Sequence, residues 1–143
     1  MVGEVEKIDT EILTILLEKN YIPVIATVGV NNKGTRYNIN ADTVAGQLAI
    51  SLKADKLIYL TDVDGIFKDF KDSNSLISSL PINQAKGSIK SRKIQKGMIP
   101  KVDSAVQALE GGVNKVHFLN GKRTHSVLLE LFTDSGIGTE IIP

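Results

Sequence analysis

Tyr37-Asn38-Ile39-Asn40-Ala41-Asp42 ends a short extended run and opens a helix, whose apolar pattern over residues 44–52 follows directly. Asn40 is placed as the N-cap, where a side-chain oxygen takes an otherwise orphaned backbone N–H. Asp42 falls in the first turn, where the helix dipole favours an anion. Asn38 and Asn40 are two apart, so on an extended backbone they point the same way. Three polar groups thus converge where a strand meets a helix, a usual ligand position in an open α/β sheet. The plain alternative is a capped helix with a polar turn.

Upstream, Asp9 or Thr10 can cap a first helix with a broad apolar face of Ile12, Leu13, Ile15, Leu16 and Leu17, ended by Asn20. Ile22-Pro23-Val24-Ile25-Ala26-Thr27-Val28 is nearly all apolar, the pattern of a strand buried on both faces. Asn31-Asn32-Lys33-Gly34 supplies turn chemistry, so a β-hairpin leads into residues 35–39. Downstream, Gly46 lowers helix propensity inside the central helix and marks close packing. Lys56-Leu57-Ile58-Tyr59-Leu60-Thr61 reads as a second buried strand, running into Asp62-Val63-Asp64-Gly65. Residues 68–79 read as a polar loop and 83–90 as a short helix. Val102, Ala105, Val106 and Leu109 keep helical spacing until Gly111-Gly112 stops it. Val116-His117-Phe118-Leu119 is a third strand, Val127 to Phe132 another apolar helix, and Gly138-Thr139-Glu140-Ile141-Ile142 a last strand. Strands alternating with helices predict a mostly parallel sheet covered on both faces. There is no internal repeat, low-complexity tract or linker, so residues 1–143 read as a single domain.

The 143 residues suffice for one core. A net charge of +1 gives no global field toward nucleic acid or a membrane. The absence of cysteine excludes disulfides and thiolate metal sites, and two histidines are too few for a typical zinc site. The first residues lack the apolar run of a signal peptide, and no stretch approaches the ~20 apolar residues of a membrane span.

Three loops gather chemistry: residues 38–42, 61–67 and 93–101. The third is basic: the stretch running into and through it, from Lys86 to Lys101, carries Lys86, Lys90, Arg92, Lys93, Lys96 and Lys101 and no acidic residue. It reads as a phosphate-facing loop or as a solvated charge run; it carries no aromatic residue to stack a base. Lys101 stands out because it opens a helix, where a cation works against the dipole. It needs an anionic partner, either a ligand phosphate or a carboxylate such as Asp42. Asp62 and Asp64 can bind Mg²⁺ or simply form a turn. His117 lies in an apolar strand and reads as a core histidine, His125 as a surface residue at a helix start. No metal site is expected from protein groups alone. Walker A, G-x-G-x-x-G and nucleophile-elbow motifs are absent.

Taken together, Asn38-Ile39-Asn40-Ala41-Asp42, Leu60-Thr61-Asp62-Val63-Asp64-Gly65-Ile66, Gly97-Met98-Ile99-Pro100-Lys101-Val102 and Leu131-Phe132-Thr133-Asp134-Ser135-Gly136-Ile137-Gly138-Thr139 resemble, in order, the C-terminal half of the N-acetylglutamate kinase family, within the amino acid kinase superfamily. Val2-Gly3-Glu4-Val5 is similar to that family's mid-chain segment. The resemblance implies a three-layer αβα sandwich of the carbamate kinase-like type, present in part, with this chain as its nucleotide-binding lobe. The implied reaction is ATP-dependent phosphorylation of the side-chain carboxylate of N-acetyl-L-glutamate in arginine synthesis, with Mg²⁺ accompanying the nucleotide. It assigns Lys101 to stabilising the transferring phosphoryl group and Asp42 to ordering the catalytic lysines. Asn38, with Asn40 beside it, falls on the acetylglutamate side. Thr61, Asp62, Val63, Asp64, Gly65, Ile66, Phe67, Lys93, Ile94, Gln95, Gly97 and Met98 fall on the ATP side. His117, Glu130 and Gly136 resemble positions of the arginine-feedback site of arginine-sensitive members.

The family's N-terminal half, which brings a second lysine, glycine-rich phosphate loops and a substrate arginine, has no counterpart here. The chain therefore reads as an excised or separately expressed fragment, inactive by itself. The intact enzyme is expected to be a homo-oligomer in the cytoplasm or plastid stroma. Residues 37–46 look most like forms that bind a PII-type signalling protein. Two other readings stay open: a carbamate, glutamate or aspartate kinase, and a nucleotide-binding module without catalysis.

Overall fold

The computed structural model describes residues 1–69, 71–90, 94, 97–134 and 136–143. Two sheets carry the fold. The first has the order β1 (Val2–Gly3), β3 (Arg36–Ile39), β2 (Val28–Val30). In it β1 runs parallel to β3, and β2 and β3 form the antiparallel hairpin that the Asn31–Gly34 turn predicts. Asn31 organises that turn, its Oδ1 accepting from the N–H groups of Lys33 at 3.0 Å and Thr35 at 2.9 Å. The second sheet has the order β4 (Lys56–Thr61), β6 (Lys115–Asn120), β7 (Thr139–Ile142), β5 (Ser79–Pro81). Here β4–β6 and β5–β7 are parallel and β6–β7 antiparallel.

The helices are α1 (Glu11–Glu18), α2 (Ala41–Ser51), α3 (Ile82–Lys90), α4 (Ile99–Glu110) and α5 (Ser126–Phe132). Alternation along the strands explains how they are layered. Leu57, Tyr59 and Thr61 are the buried side of β4. They share a face with Val116 and Phe118 of β6 through the parallel register, and Tyr59 stacks on Phe118 with ring centroids 5.2 Å apart. This face joins Ala49 of α2, Ala85 of α3, and Val102, Ala105 and Val106 of α4 in one core. His117 points the other way, to α5, where it meets Glu130. The result is α2, α3 and α4 on one side of the second sheet and α5 on the other, the αβα layering expected for strands buried on both faces. No helix of the described residues is long and apolar enough to cross a membrane.

The predicted strand over residues 22–28 is corrected. Only its end pairs: Val28 is the first residue of β2 and the Thr27 carbonyl accepts from the Ile39 N–H at 3.0 Å, while residues 21–26 are irregular. Ile22 is 90% and Val24 95% exposed. An extended run becomes a strand only beside a partner ladder, and no described strand pairs with residues 22–26. Likewise α1 forms where expected, yet none of its residues is buried. Strand β5 falls at the end of what reads as loop and in the gap before the short helix, because a three-residue strand is too short for alternation to register.

Candidate functional site

Asn40 caps α2 as expected: its Oδ1 accepts from the N–H groups of Asp42 at 2.9 Å and Thr43 at 3.2 Å. The cap fixes the first turn of α2 and with it the carboxylate of Asp42. On α4, Pro100 occupies the first turn, where its missing N–H costs nothing. Lys101 follows, and its Nζ donates to both Asp42 oxygens, at 2.7 Å and 2.9 Å. The ammonium, ill placed for its own helix dipole, thus sits on an anion that is well placed for its helix. Both side chains are mostly shielded yet open on one side, 26% exposed for Lys101 and 19% for Asp42.

Behind the pair lies a support absent from the sequence reading. Ser104, one turn after Lys101, donates to the Asp42 backbone carbonyl at 2.8 Å. Tyr59 donates to Ser104 Oγ at 2.9 Å and also lies 3.1 Å from that carbonyl. Burial, aided by the nearby Asp42 charge, pushes the Tyr59 phenol up to about 12, so it remains a donor at neutral pH. Gly46 makes the arrangement fit: a Cβ there would stand 2.5 Å from Ser104 Oγ. The glycine inside the helix was the one signal in the sequence of this contact. Tyr59 and Ser104 gave none, because a tyrosine in a strand and a serine in a helix are unremarkable.

At the C-terminal end of β4 the turn carrying Asp62 and Asp64 is held from within. Thr61 Oγ1 donates to the Val63 carbonyl at 2.8 Å and accepts from the Val63 N–H at 3.0 Å. Asp64 accepts from Asn120 Nδ2 at 2.9 Å, tying the turn to the end of β6. Gly65 lets the backbone pass against Thr139, whose Oγ1 accepts from the Ile66 N–H at 2.8 Å and donates to the Ile77 carbonyl at 2.6 Å. Asp62 stays exposed and Phe67 is half-buried. Tyr59 of β4, two residues ahead of this turn, touches Ser104 and the Asp42 carbonyl, so the Asp42–Lys101 pair sits over the Tyr59 face of β4.

Of the remaining expected contacts, Asn38 and Asn40 are both exposed and lie beside the start of α2, although the Oδ1 of Asn40 is taken by the cap. Ile94 and Met98 are buried in the core and Gly97 is exposed, so these two apolar side chains pack rather than face solvent. Lys93 and Gln95, with Arg92 and Lys96 of the basic run, lie outside the described residues. Lys86 is engaged by Glu110 at 2.6 Å. No three carboxylates or imidazoles cluster in a metal-binding arrangement among the described residues.

His117, Glu130 and Gly136 do come together. The Glu130 carboxylate is 2.8 Å from His117 Nδ1 and accepts from the N–H groups of Ile137 at 2.7 Å and Gly138 at 3.0 Å. Burial raises the Glu130 pKa, but the Ile137 N–H, the His117 ring and the Gly138 N–H outweigh it and hold the carboxyl below its ordinary value. Gly136 has φ 58°, and a Cβ there would lie 2.9 Å from the Glu130 carboxylate. His117 Nε2 is buried without a hydrogen-bond partner among the described residues.

The family model of the amino acid kinases matches residues 1–120. The chain is 53% identical over 141 residues to the acetylglutamate kinase of Halothermothrix orenii, covering 99% of this chain and 49% of that protein. It is 50% identical over 142 residues to the acetylglutamate kinase of Methanococcus maripaludis, covering 99% of this chain and 48% of that one. It thus spans about half the length of these relatives. Among solved structures, N-acetylglutamate synthase from Neisseria gonorrhoeae, complexed with coenzyme A and N-acetyl-glutamate, superposes with a TM-score of 0.91 at 35% identity, over 99% of this chain and 32% of that one. Carbamate kinase from Giardia lamblia, bound to AMP-PNP, superposes with a TM-score of 0.73 at 22% identity, over 99% of this chain and 46% of that one, a likeness of fold alone.

Proposed function

The chain belongs to the amino acid kinase family, and on that premise we propose that it supplies the nucleotide-binding half of an acetylglutamate kinase, which transfers the γ-phosphoryl group of ATP to the side-chain carboxylate of N-acetyl-L-glutamate. The observation that carries this reading is the Lys101–Asp42 contact at 2.7 Å, joining the first turns of two helices braced by Tyr59 of β4. Phosphoryl transfer asks for positioned charge rather than a protein nucleophile, and a lysine held in place by a carboxylate supplies it. Lys101 would stabilise the transferring group, Asp42 would hold Lys101, the turn at residues 61–67 would seat the nucleotide, and Asn38 would face the acetylglutamate. Exposed Asp62 and Asp64 are hard oxygen donors that suit Mg²⁺, and with no third carboxylate clustered beside them among the described residues the ion would be held largely by the nucleotide phosphates. There it would neutralise phosphate charge.

The other half of the relatives' length would complete the site and hold most of the substrate. On the same reading the whole protein is a homo-oligomer of the cytoplasm or plastid stroma, with a PII-type protein as partner and His117, Glu130 and Gly136 as a feedback site. A module that binds nucleotide without turnover is the second reading.

Calorimetry of this chain with MgATP tests the nucleotide assignment: weak binding is expected, and no heat with the fold intact would sink it. In the completed enzyme, Lys101→Ala should lower kcat by ~10²–10³ with a much smaller change in KM. Turnover of carbamate, glutamate or aspartate in place of acetylglutamate would reassign the substrate.

A further inference from the structure

Ser104 and Tyr59 are both buried, on elements whose neighbouring residues Val102, Ala105 and Leu57 belong to the apolar core. A hydroxyl in such surroundings costs free energy unless it is bonded, and an apolar pair of the same size would pack about as well. Both hydroxyls are bonded, and both converge on one atom. Ser104 Oγ lies 2.8 Å and the Tyr59 hydroxyl 3.1 Å from the Asp42 backbone carbonyl, and the two oxygens lie 2.9 Å apart. That carbonyl belongs to the first turn of α2, whose ladder uses one of its two lone pairs. The hydroxyls therefore do not rescue an orphaned acceptor. They supply a second attachment between α4 and Asp42. Lys101 and Ser104 are three apart, on one face of α4, so the ammonium holds the Asp42 carboxylate while the hydroxyl holds its backbone. One such contact leaves a pivot. Two, backed by Tyr59 of β4, fix the direction in which the carboxylate presents Lys101.

We propose that Ser104 and Tyr59 are interchangeable positioning residues for phosphoryl transfer: either hydroxyl can hold the Asp42 carbonyl, and with neither the Asp42–Lys101 pair loses the geometry that the transition state needs. This rests on reading that pair as the one that serves the transfer. Interchange follows from where the protons go. Ser104 donates its one proton to the carbonyl, and Tyr59 donates its one proton to Ser104. With Ser104 cut to alanine, the phenol already stands 3.1 Å from the carbonyl and can turn its proton there. Burial keeps that proton on the phenol through the neutral range. With Tyr59 cut to phenylalanine, the serine bond stays and the ring keeps its stack on Phe118. Only the loss of both hydroxyls frees the Asp42 backbone.

The test is a double-mutant cycle of Ser104→Ala and Tyr59→Phe, read in the completed enzyme and in this chain by itself. In the enzyme each single change should lower kcat by at most about threefold and the double change by about tenfold or more, with KM within about threefold of the parent's. Chemical denaturation of the double variant should give a midpoint close to the parent's, because removing both hydroxyls together leaves no polar group unpaired. In this chain, with no nucleotide and no turnover, the rate at which acetic anhydride acylates Lys101 follows the population in which the amine has left Asp42. That rate, read by peptide mass spectrometry, should rise about threefold or more in the double variant and stay at the parent's value in each single one. Unchanged kcat and acylation in a folded double variant would overturn the proposal. So would a loss of kcat that tracks a loss of stability, which makes the hydroxyls structural. A single change as harmful as the double places the hydroxyls in series and overturns their interchange. An unmodified completed enzyme that leaves acetylglutamate unphosphorylated overturns the kinase reading alone, and the acylation rates then decide this proposal without it.

Discussion

Gly46 and Ser104 show how a single atom positions the pair at the centre of the site. A methyl group at Gly46 would meet Ser104 Oγ at 2.5 Å, displacing the hydroxyl that holds the Asp42 carbonyl. Gly46→Ala should therefore destabilise by about 1–3 kcal/mol, the usual cost of overpacking. In a Ser104→Ala background the obstructing oxygen is gone and helix propensity favours alanine over glycine by about 1 kcal/mol, so the same change should become neutral or stabilising. Chemical denaturation of the four proteins reads the sign change; equal cost in both backgrounds would refute the contact. Glu130 offers a second test. Its carboxyl titrates lower in the folded chain than its ordinary value of 4.5. Its contribution to stability is therefore complete above about pH 4.5 and is lost as the pH falls through the depressed folded value. Glu130→Gln should flatten that acid limb and cost about 1–3 kcal/mol at neutral pH, since a donor replaces one of its acceptors. A denaturation series from pH 3 to 7 decides between the two curves.

At the scale of elements, the start of α2 was readable because local chemistry settles it. An asparagine before a helical run, with an acid in the first turn, has few other uses, and the two hydrogen bonds to Asn40 follow. Asn40→Ala should cost about 1 kcal/mol and Asn40→Asp far less, measured by thermal unfolding. A cost for Asn40→Asp equal to that for alanine would mean that the asparagine does more than cap. The Lys101–Asp42 pairing was half readable: a lysine at a helix start needs an anion, but the sequence left open which one. Tyr59 was not readable as a support, because its role depends on β4 passing beneath both α2 and α4.

Over the whole molecule, stability should be uneven. Val102, Ala105, Val116, Phe118 and Ile141 are fully buried in the core shared by β4, β6, β7 and α4. By contrast, α1 buries no residue. Amides of β6 should exchange only by near-global opening. Those of α1 and residues 21–30 should exchange by local opening at a small fraction of that free energy. Uniform protection across the chain, read by hydrogen exchange at residue resolution, would contradict this picture.

The sequence by itself determined where helices begin and end, three of the four strands of the second sheet, and which loops carry charge. Capping, periodicity and glycine placement act over a few neighbouring residues. Tertiary structure alone decided that Lys101 takes Asp42 as its anion, that Ser104 and Tyr59 brace the pair, and that the apolar run at residues 22–28 lies open. A run of β-branched residues states only that burial is favourable. Whether a partner is there to bury it depends on elements far away in the chain or outside it.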